Sequence, residues 1–183
     1  MNKRKFQIAV IGSAGKEEYL KIKPKSKLYR FAEEIGELIA KKGSILVCGG
    51  KGGIMDRACK GAKKFKGITV GVVSGKERGT ANKYVDVEIV SGMVNSSEEA
   101  LIITMADAVI ILGGGSGTLE EIALSYRNNK PMVAITGFGG WGDKLANTYL
   151  DERERILILS ARTSNEAIDI VFNKLLSSGD SKP

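Results

Sequence analysis

A doubly wound α/β fold, Rossmann-like, with a mainly parallel sheet between two layers of helices, is the class this sequence predicts. Three observations predict it. Short all-apolar runs alternate with helical stretches from end to end; strands buried on both faces read as such runs, and their alternation with helices means a parallel sheet. No linker, repeat or low-complexity stretch divides the 183 residues, so one domain over 1–183 is expected, with 1–5 and 177–183 frayed. Glycine clusters follow the apolar runs, where ligands bind in such sheets.

Taken in order, residues 7–11 form an apolar run ending in Gly12-Ser13-Ala14-Gly15. The basic start before it faintly mimics a signal peptide, but the run is too short for one and reads as a buried first strand. Residues 28–42 place Phe31, Ile35, Leu38 and Ile39 along one helix face. A strand over 44–48 precedes Gly49-Gly50-Lys51-Gly52-Gly53, which opens a helix over 53–64. Residues 68–73 are a strand, and an open polar loop follows through Asn82. Residues 85–90 are a short strand of irregular placement. A helix over 97–106, a strand over 108–112, a helix over 118–128 and a strand over 132–135 come next. The loop Gly137-Phe-Gly-Gly-Trp-Gly142 leads to a helix over 143–150, a strand over 156–159 and a helix over 165–176.

Composition excludes several classes. No apolar run approaches the ~20 residues that span a bilayer, so a cytoplasmic protein with no membrane partner is expected. The chain has no histidine, which removes the usual zinc ligand and every Ser-His or Cys-His catalytic pair. Cys48 and Cys59 have no metal or redox spacing and read as buried, reduced thiols; no metal site is expected. The net charge of +7 favours anionic partners. The densest cationic cluster, Lys21-Ile-Lys-Pro-Lys-Ser-Lys27, is either a solvated loop or a patch that recruits phosphate.

The segment 106–121 is the most informative. A strand runs into Gly113-Gly114-Gly115-Ser116-Gly117-Thr118 and then a helix begins. Glycines at 113, 114, 115 and 117 let the backbone turn with positive φ and approach a ligand closely. A helix start offers free N–H groups and the positive end of a dipole, a ready site for phosphate. With strand order 3-2-1 and the strand at 108–112 on the far side of the first, this cluster and the one at 12–15 flank the point where strand order reverses. The candidate phosphate or ligand contacts are therefore Gly12, Ser13, Gly49, Gly50, Lys51, Gly52, Gly53, Gly114, Gly115, Ser116, Gly117 and Thr118. No Gly-x-x-x-x-Gly-Lys-Ser/Thr occurs, which excludes a P-loop NTPase. The lack of Gly-x-Gly-x-x-Gly after the first strand, and of an acid closing the second, argues against dinucleotide chemistry.

Residues 114–121, Gly-Gly-Ser-Gly-Thr-Leu-Glu-Glu, resemble the PGGxGTxxE signature of the Lonely Guy (LOG) proteins, long mislabelled as lysine decarboxylases. Cys48-Gly-Gly-Lys-Gly-Gly-Ile-Met55 is similar to that family's second Gly-rich loop. Asn82-Lys-Tyr-Val-Asp-Val87 and Ser91-Gly-Met93 resemble the branch that includes the molybdenum-cofactor carrier proteins. The resemblance implies a homo-oligomer, a dimer or dimer of dimers, and phosphate held by the amides of residues 115–118. It also implies that Glu121 contacts a ribose or supports cleavage of a nucleoside monophosphate to base and ribose 5-phosphate. LOG enzymes carry an arginine, usually Arg-Lys, before the signature; Glu98-Glu99 holds that place here, and Gly113 replaces the leading proline.

Several residues admit two readings. Thr118 and Glu121 fit a capping box, so Glu121 either caps the helix or meets a ligand; the helix start is expected to keep it ionised, as an acceptor or base. Glu120 faces solvent. Lys51 either meets phosphate or is solvated, and Trp141 either covers a base or pterin ring or packs its loop on the sheet. The expected function is binding of a phosphorylated small molecule, nucleotide-like or pterin-like, of the cofactor-carrier type. No cofactor is required; the bound species is a nucleotide monophosphate or a molybdopterin-type ligand. The alternative is a phosphoribohydrolase using Glu121, with a cation from Lys51, Arg78 or a second subunit. Nucleic-acid binding is a third class, disfavoured by 6% aromatic content because single-strand binders stack bases on aromatic rings.

Overall fold

The computed structural model describes residues 4–14, 25–93 and 98–179. Seven strands form one sheet: β1 (Gln7–Gly12), β2 (Ile45–Cys48), β3 (Ile68–Val73), β4 (Val87–Val90), β5 (Ala108–Leu112), β6 (Met132–Ile135) and β7 (Ile158–Ala161). Their order is β4-β3-β2-β1-β5-β6-β7, and every pairing is parallel. Five helices lie between them and a sixth follows β7 among the described residues: α1 (Lys25–Lys41), α2 (Ile54–Lys64), α3 (Glu99–Met105), α4 (Ser116–Arg127), α5 (Gly140–Leu145) and α6 (Ser164–Gly179). This is the Rossmann-like arrangement that the alternation of apolar runs and helices predicts.

Side-chain alternation builds two cores from the same strands. Ile8 and Val10 of β1 point with Leu46, Ile110 and Val133 to the face covered by α1, α2 and α6. Ala9 and Ile11 point with Val47, Val109 and Ile111 to the face covered by α3 and α4. All five residues of β5 are buried, as a central parallel strand requires. Strand order reverses between β1 and β5, so a crevice opens at their carboxyl ends.

Some elements begin or end elsewhere than expected. The irregular strand at 85–90 is a regular parallel edge strand that starts at Val87, because Asp86 is tied down: its carboxylate accepts from the Thr69 N–H at 2.9 Å and pairs with Lys63 at 2.6 Å. The helix expected over 143–150 is α5, begun at Gly140 and ended at Leu145. Asp143 folds back on the preceding loop, accepting from the N–H groups of Gly137 and Gly139 at 3.1 and 2.8 Å. The last strand is set two residues later than expected, with Ile158 in register with Met132. At the ends, Arg4 pairs with Asp107 at 2.6 Å, and α6 runs to Gly179. Gly15 and most of the lysine cluster at 21–27 lie outside the described residues. Among the described residues, no helix is long and apolar enough to cross a membrane.

Candidate functional site

A cavity of about 710 Å³ opens at the switch point between β1 and β5. Four loops and two helix starts line it: Gly12 at the end of β1 with Ser13 and Ala14, Gly49 and Lys51 after β2, the run Gly114–Thr118 with Glu121 after β5, Phe138, Gly139 and Gly140 after β6, and Glu98 and Glu99 at the start of α3. Of the residues expected at the site, Gly50, Gly52 and Gly53 are not in the lining. Gly50 backs onto Gly71 of β3, 3.3 Å from where its side chain would begin, and a Cβ on Gly53 would lie 2.5 Å from the Ser13 carbonyl oxygen.

Ser13 joins two of the loops. Its hydroxyl accepts from the Gly114 N–H at 3.0 Å, and its carbonyl accepts from the Ile54 N–H at 3.2 Å. The turn at 113–114 is held from its other side by α5, whose Trp141 and Gly142 N–H groups donate to the carbonyls of Gly114 and Gly113 at 3.0 and 2.9 Å. Trp141 therefore serves the loop through its backbone, and its ring packs on the α3–α4 core beneath Lys144, 4.5 Å away; it does not line the cavity.

Only Gly113 and Gly114 of the signature have positive φ, 62° and 105°. Gly115, expected to turn with them, is extended at φ −99°, and Gly117 lies in the first turn of α4. Among the described residues, a Cβ at Gly115 would meet nothing within 4 Å, and one at Gly117 only the Glu99 carboxylate at 4.0 Å. Neither glycine is required by turn geometry or packing, and both face the cavity. The Leu119 N–H bonds the Gly115 carbonyl at 3.1 Å, which leaves the amides of 116–118 as the free first-turn donors of α4.

The capping box does not form. Gly115 is the N-cap of α4, with no side-chain cap bond, so Thr118 sits inside the first turn and Glu121 a turn further on. Nor does the helix dipole keep Glu121 ionised, because its influence fades beyond the first turn. Burial, then the neighbouring Glu99, push the Glu121 carboxyl up to about 8; it carries a proton at neutral pH and can donate it. Burial, with Glu98 and Glu120, also pushes Glu99 up.

Glu98 is the most enclosed charge in the cavity. Its side chain is 3% exposed, and Oε1 accepts from Lys51 Nζ at 3.1 Å. Lys51 is aimed there because Asn82 holds its loop, donating through Nδ2 to the carbonyls of Gly50 and Lys51 at 3.1 and 3.0 Å. Among the described residues, Oε2 of Glu98 and Oε2 of Glu99 are buried without a partner. Met55, Ile102 and Phe138 form the apolar part of the lining. Sequence reasoning passed over all three because buried apolar residues carry no local mark of facing a cavity; Phe138 is set by its edge-to-face contact with Phe31 at 5.1 Å. Cys48 and Cys59 are free and buried, 3.6 Å apart. The sulfur contact with Cys48, then burial, raise the Cys59 thiol far above its usual range, which keeps it neutral.

The model of the SLOG cluster4 family matches residues 5–168. Among solved structures, TM1055 is 30% identical with a TM-score of 0.83, over 92% of this chain and 99% of that one. The molybdenum cofactor binding protein of the phototrophic bacterium Rippkaea orientalis is 27% identical with a TM-score of 0.79, over 95% and 99%. The Moco carrier protein of Chlamydomonas reinhardtii is 30% identical with a TM-score of 0.77, over 96% and 99%.

Proposed function

The chain belongs to the SLOG cluster4 family, and we propose that its cavity binds a phosphorylated small molecule, nucleotide-like or pterin-like, as a carrier holds a cofactor. The pair Gly115 and Gly117 carries this reading. Both open onto the cavity with no packing reason to lack a side chain, beside the free first-turn amides of α4, where backbone donors and the helix dipole together favour an anion. The likeness to cofactor-binding structures from Rippkaea and Chlamydomonas supports the ligand class. The lining supports holding over cleaving: among the described residues its cation is Lys51, which is paired with Glu98, where cleavage wants a cation free to face the glycosidic carbon.

Titration calorimetry with AMP, GMP and a phosphorylated pterin tests the reading. At least one saturates the site, and Gly115→Asp abolishes that binding while the chain still folds, because Asp is a favoured N-cap residue and the position is open. Absence of saturable binding by every phosphorylated compound overturns it.

One observation favours a second reading. Glu121 lines the cavity with its carboxyl pushed up to about 8, the ionisation that a general acid for a leaving base needs in a phosphoribohydrolase. Release of free base from nucleoside monophosphates decides between the two. Turnover lost in Glu121→Gln supports hydrolysis; its absence in the native chain removes it.

A further inference from the structure

The acid wall of the cavity is not accounted for by phosphate binding, since an anion gains nothing from carboxylates beside it. Glu98 is nearly excluded from solvent, with one oxygen on Lys51 and the other buried and unpartnered. A buried acceptor left without a donor is destabilising, and a ligand donor removes that cost. What lies beside Glu98 narrows the donor. Ile102 sits four residues on, on the same face of α3, and its Cδ1 lies with the Met55 Sδ against Gly49, 3.7 and 3.2 Å from where a Cβ would stand. A carboxylate edge next to a small apolar wall suits a flat ring that presents donors in its plane. Among the described residues, no group of acids has the arrangement to hold a metal ion.

We propose that Glu98 recognises an N–H and an NH2 group side by side on the ring end of the ligand, the 2-amino-4-oxopyrimidine edge that guanine and pterin share. The ring rests against Met55 and Ile102 while the phosphate lies on the amides of residues 116–118. Lys51 is a positioning residue that fixes the carboxylate through Oε1. Adenine lacks this edge, and hypoxanthine has the N–H without the NH2. This inference rests on the phosphate-binding reading and adds the identity of the ring to it.

The test is calorimetry at neutral pH with GMP, a neopterin phosphate, IMP, AMP and ribose 5-phosphate. GMP or the neopterin phosphate binds at least about tenfold tighter than AMP and IMP, the discrimination a good bidentate contact gives, and the tighter of the two identifies the ring. Glu98→Gln reduces that preference to about threefold or less without weakening ribose 5-phosphate binding. Equal binding of GMP, the neopterin phosphate and AMP overturns the inference while leaving the phosphate reading intact. An equal loss for all ligands, ribose 5-phosphate included, in Glu98→Gln also overturns it. Failure of every phosphorylated compound to bind removes both readings. If Glu98→Gln does not fold, the ring series on the native chain still decides.

Discussion

The glycines after β1 and β2 and the glycines that open α4 look alike in the sequence and do different work. Gly12, at φ 146°, sits so close to β5 that a Cβ would lie 2.0 Å from the Leu112 carbonyl, and Gly53, at φ 71°, has the Ser13 carbonyl at 2.5 Å. These are places where the protein touches itself. Among the described residues, a Cβ at Gly115 or Gly117 would meet nothing except, at 4.0 Å from Gly117, one carboxylate. A glycine demanded by its own backbone says little about a ligand. A glycine at negative φ with empty space before it, at a helix start, points outward to whatever fills the space.

The sharpest way to break that contrast is to add one methyl group at each kind of position. Gly12→Ala forces the two central strands apart at a backbone atom that cannot yield, and imposes a side chain on a left-handed φ. The expected loss is ~4 kcal/mol or more, at the extreme of single substitutions, read by urea unfolding. Gly115→Ala costs at most ~1 kcal/mol, the difference between Gly and Ala at an N-cap, yet weakens binding of the phosphorylated ligand. If Gly115→Ala unfolds the chain, or if Gly12→Ala does not, the assignment of the two glycine classes is wrong.

This contrast marks what the sequence could and could not disclose. Runs such as Ala108–Leu112 announce buried parallel strands because every residue in them is apolar, and the glycine clusters at their ends locate the crevice. Whether a glycine is there for its φ, for a neighbouring backbone or for a ligand depends on atoms a hundred residues away, as Gly12 and Leu112 show. Met55, Ile102 and Phe138 line the cavity but read as ordinary core residues, since core and cavity wall differ only in what lies opposite. Asp143 looked like the start of a helix; its bonds to Gly137 and Gly139 are loop chemistry that residue spacing does not reveal.

Glu121 extends the comparison from the amide wall to the acid wall. Its ionisation was misjudged from local sequence because the groups that set it, burial and Glu99 on another helix, are not local. With its carboxyl raised from 4.5 to about 8, the folded chain keeps a proton between those values that the unfolded chain has released. Stability therefore falls as pH rises through that window, by at most ~1.4 kcal/mol per unit and less where water reaches the group, and levels off above about 8. Glu121→Gln removes the slope and is more stable than the native chain at high pH. Asp86 and Glu33 act in the opposite sense: both are lowered, and their contribution is lost only as pH falls below the ordinary carboxylate range. Urea unfolding at a series of pH values separates the two limbs; an unchanged slope above pH 5 in Glu121→Gln would place the buried proton elsewhere in the acid wall.

Gly52 gives the smallest effect and the most discriminating control. It lies in the same glycine loop as Gly50 and Gly53, and like Gly115 it has nothing within 4 Å of its Cβ position. Unlike Gly115 it is not part of the cavity lining. If open space alone marked a ligand contact, Gly52→Ala and Gly115→Ala would weaken binding alike. If contact also requires facing the cavity, Gly52→Ala changes neither stability, beyond ~0.5 kcal/mol, nor affinity. A loss of affinity in Gly52→Ala, measured in the same titrations, would mean that the loop after β2 closes over the ligand and that the boundary between the two kinds of glycine runs inside this loop.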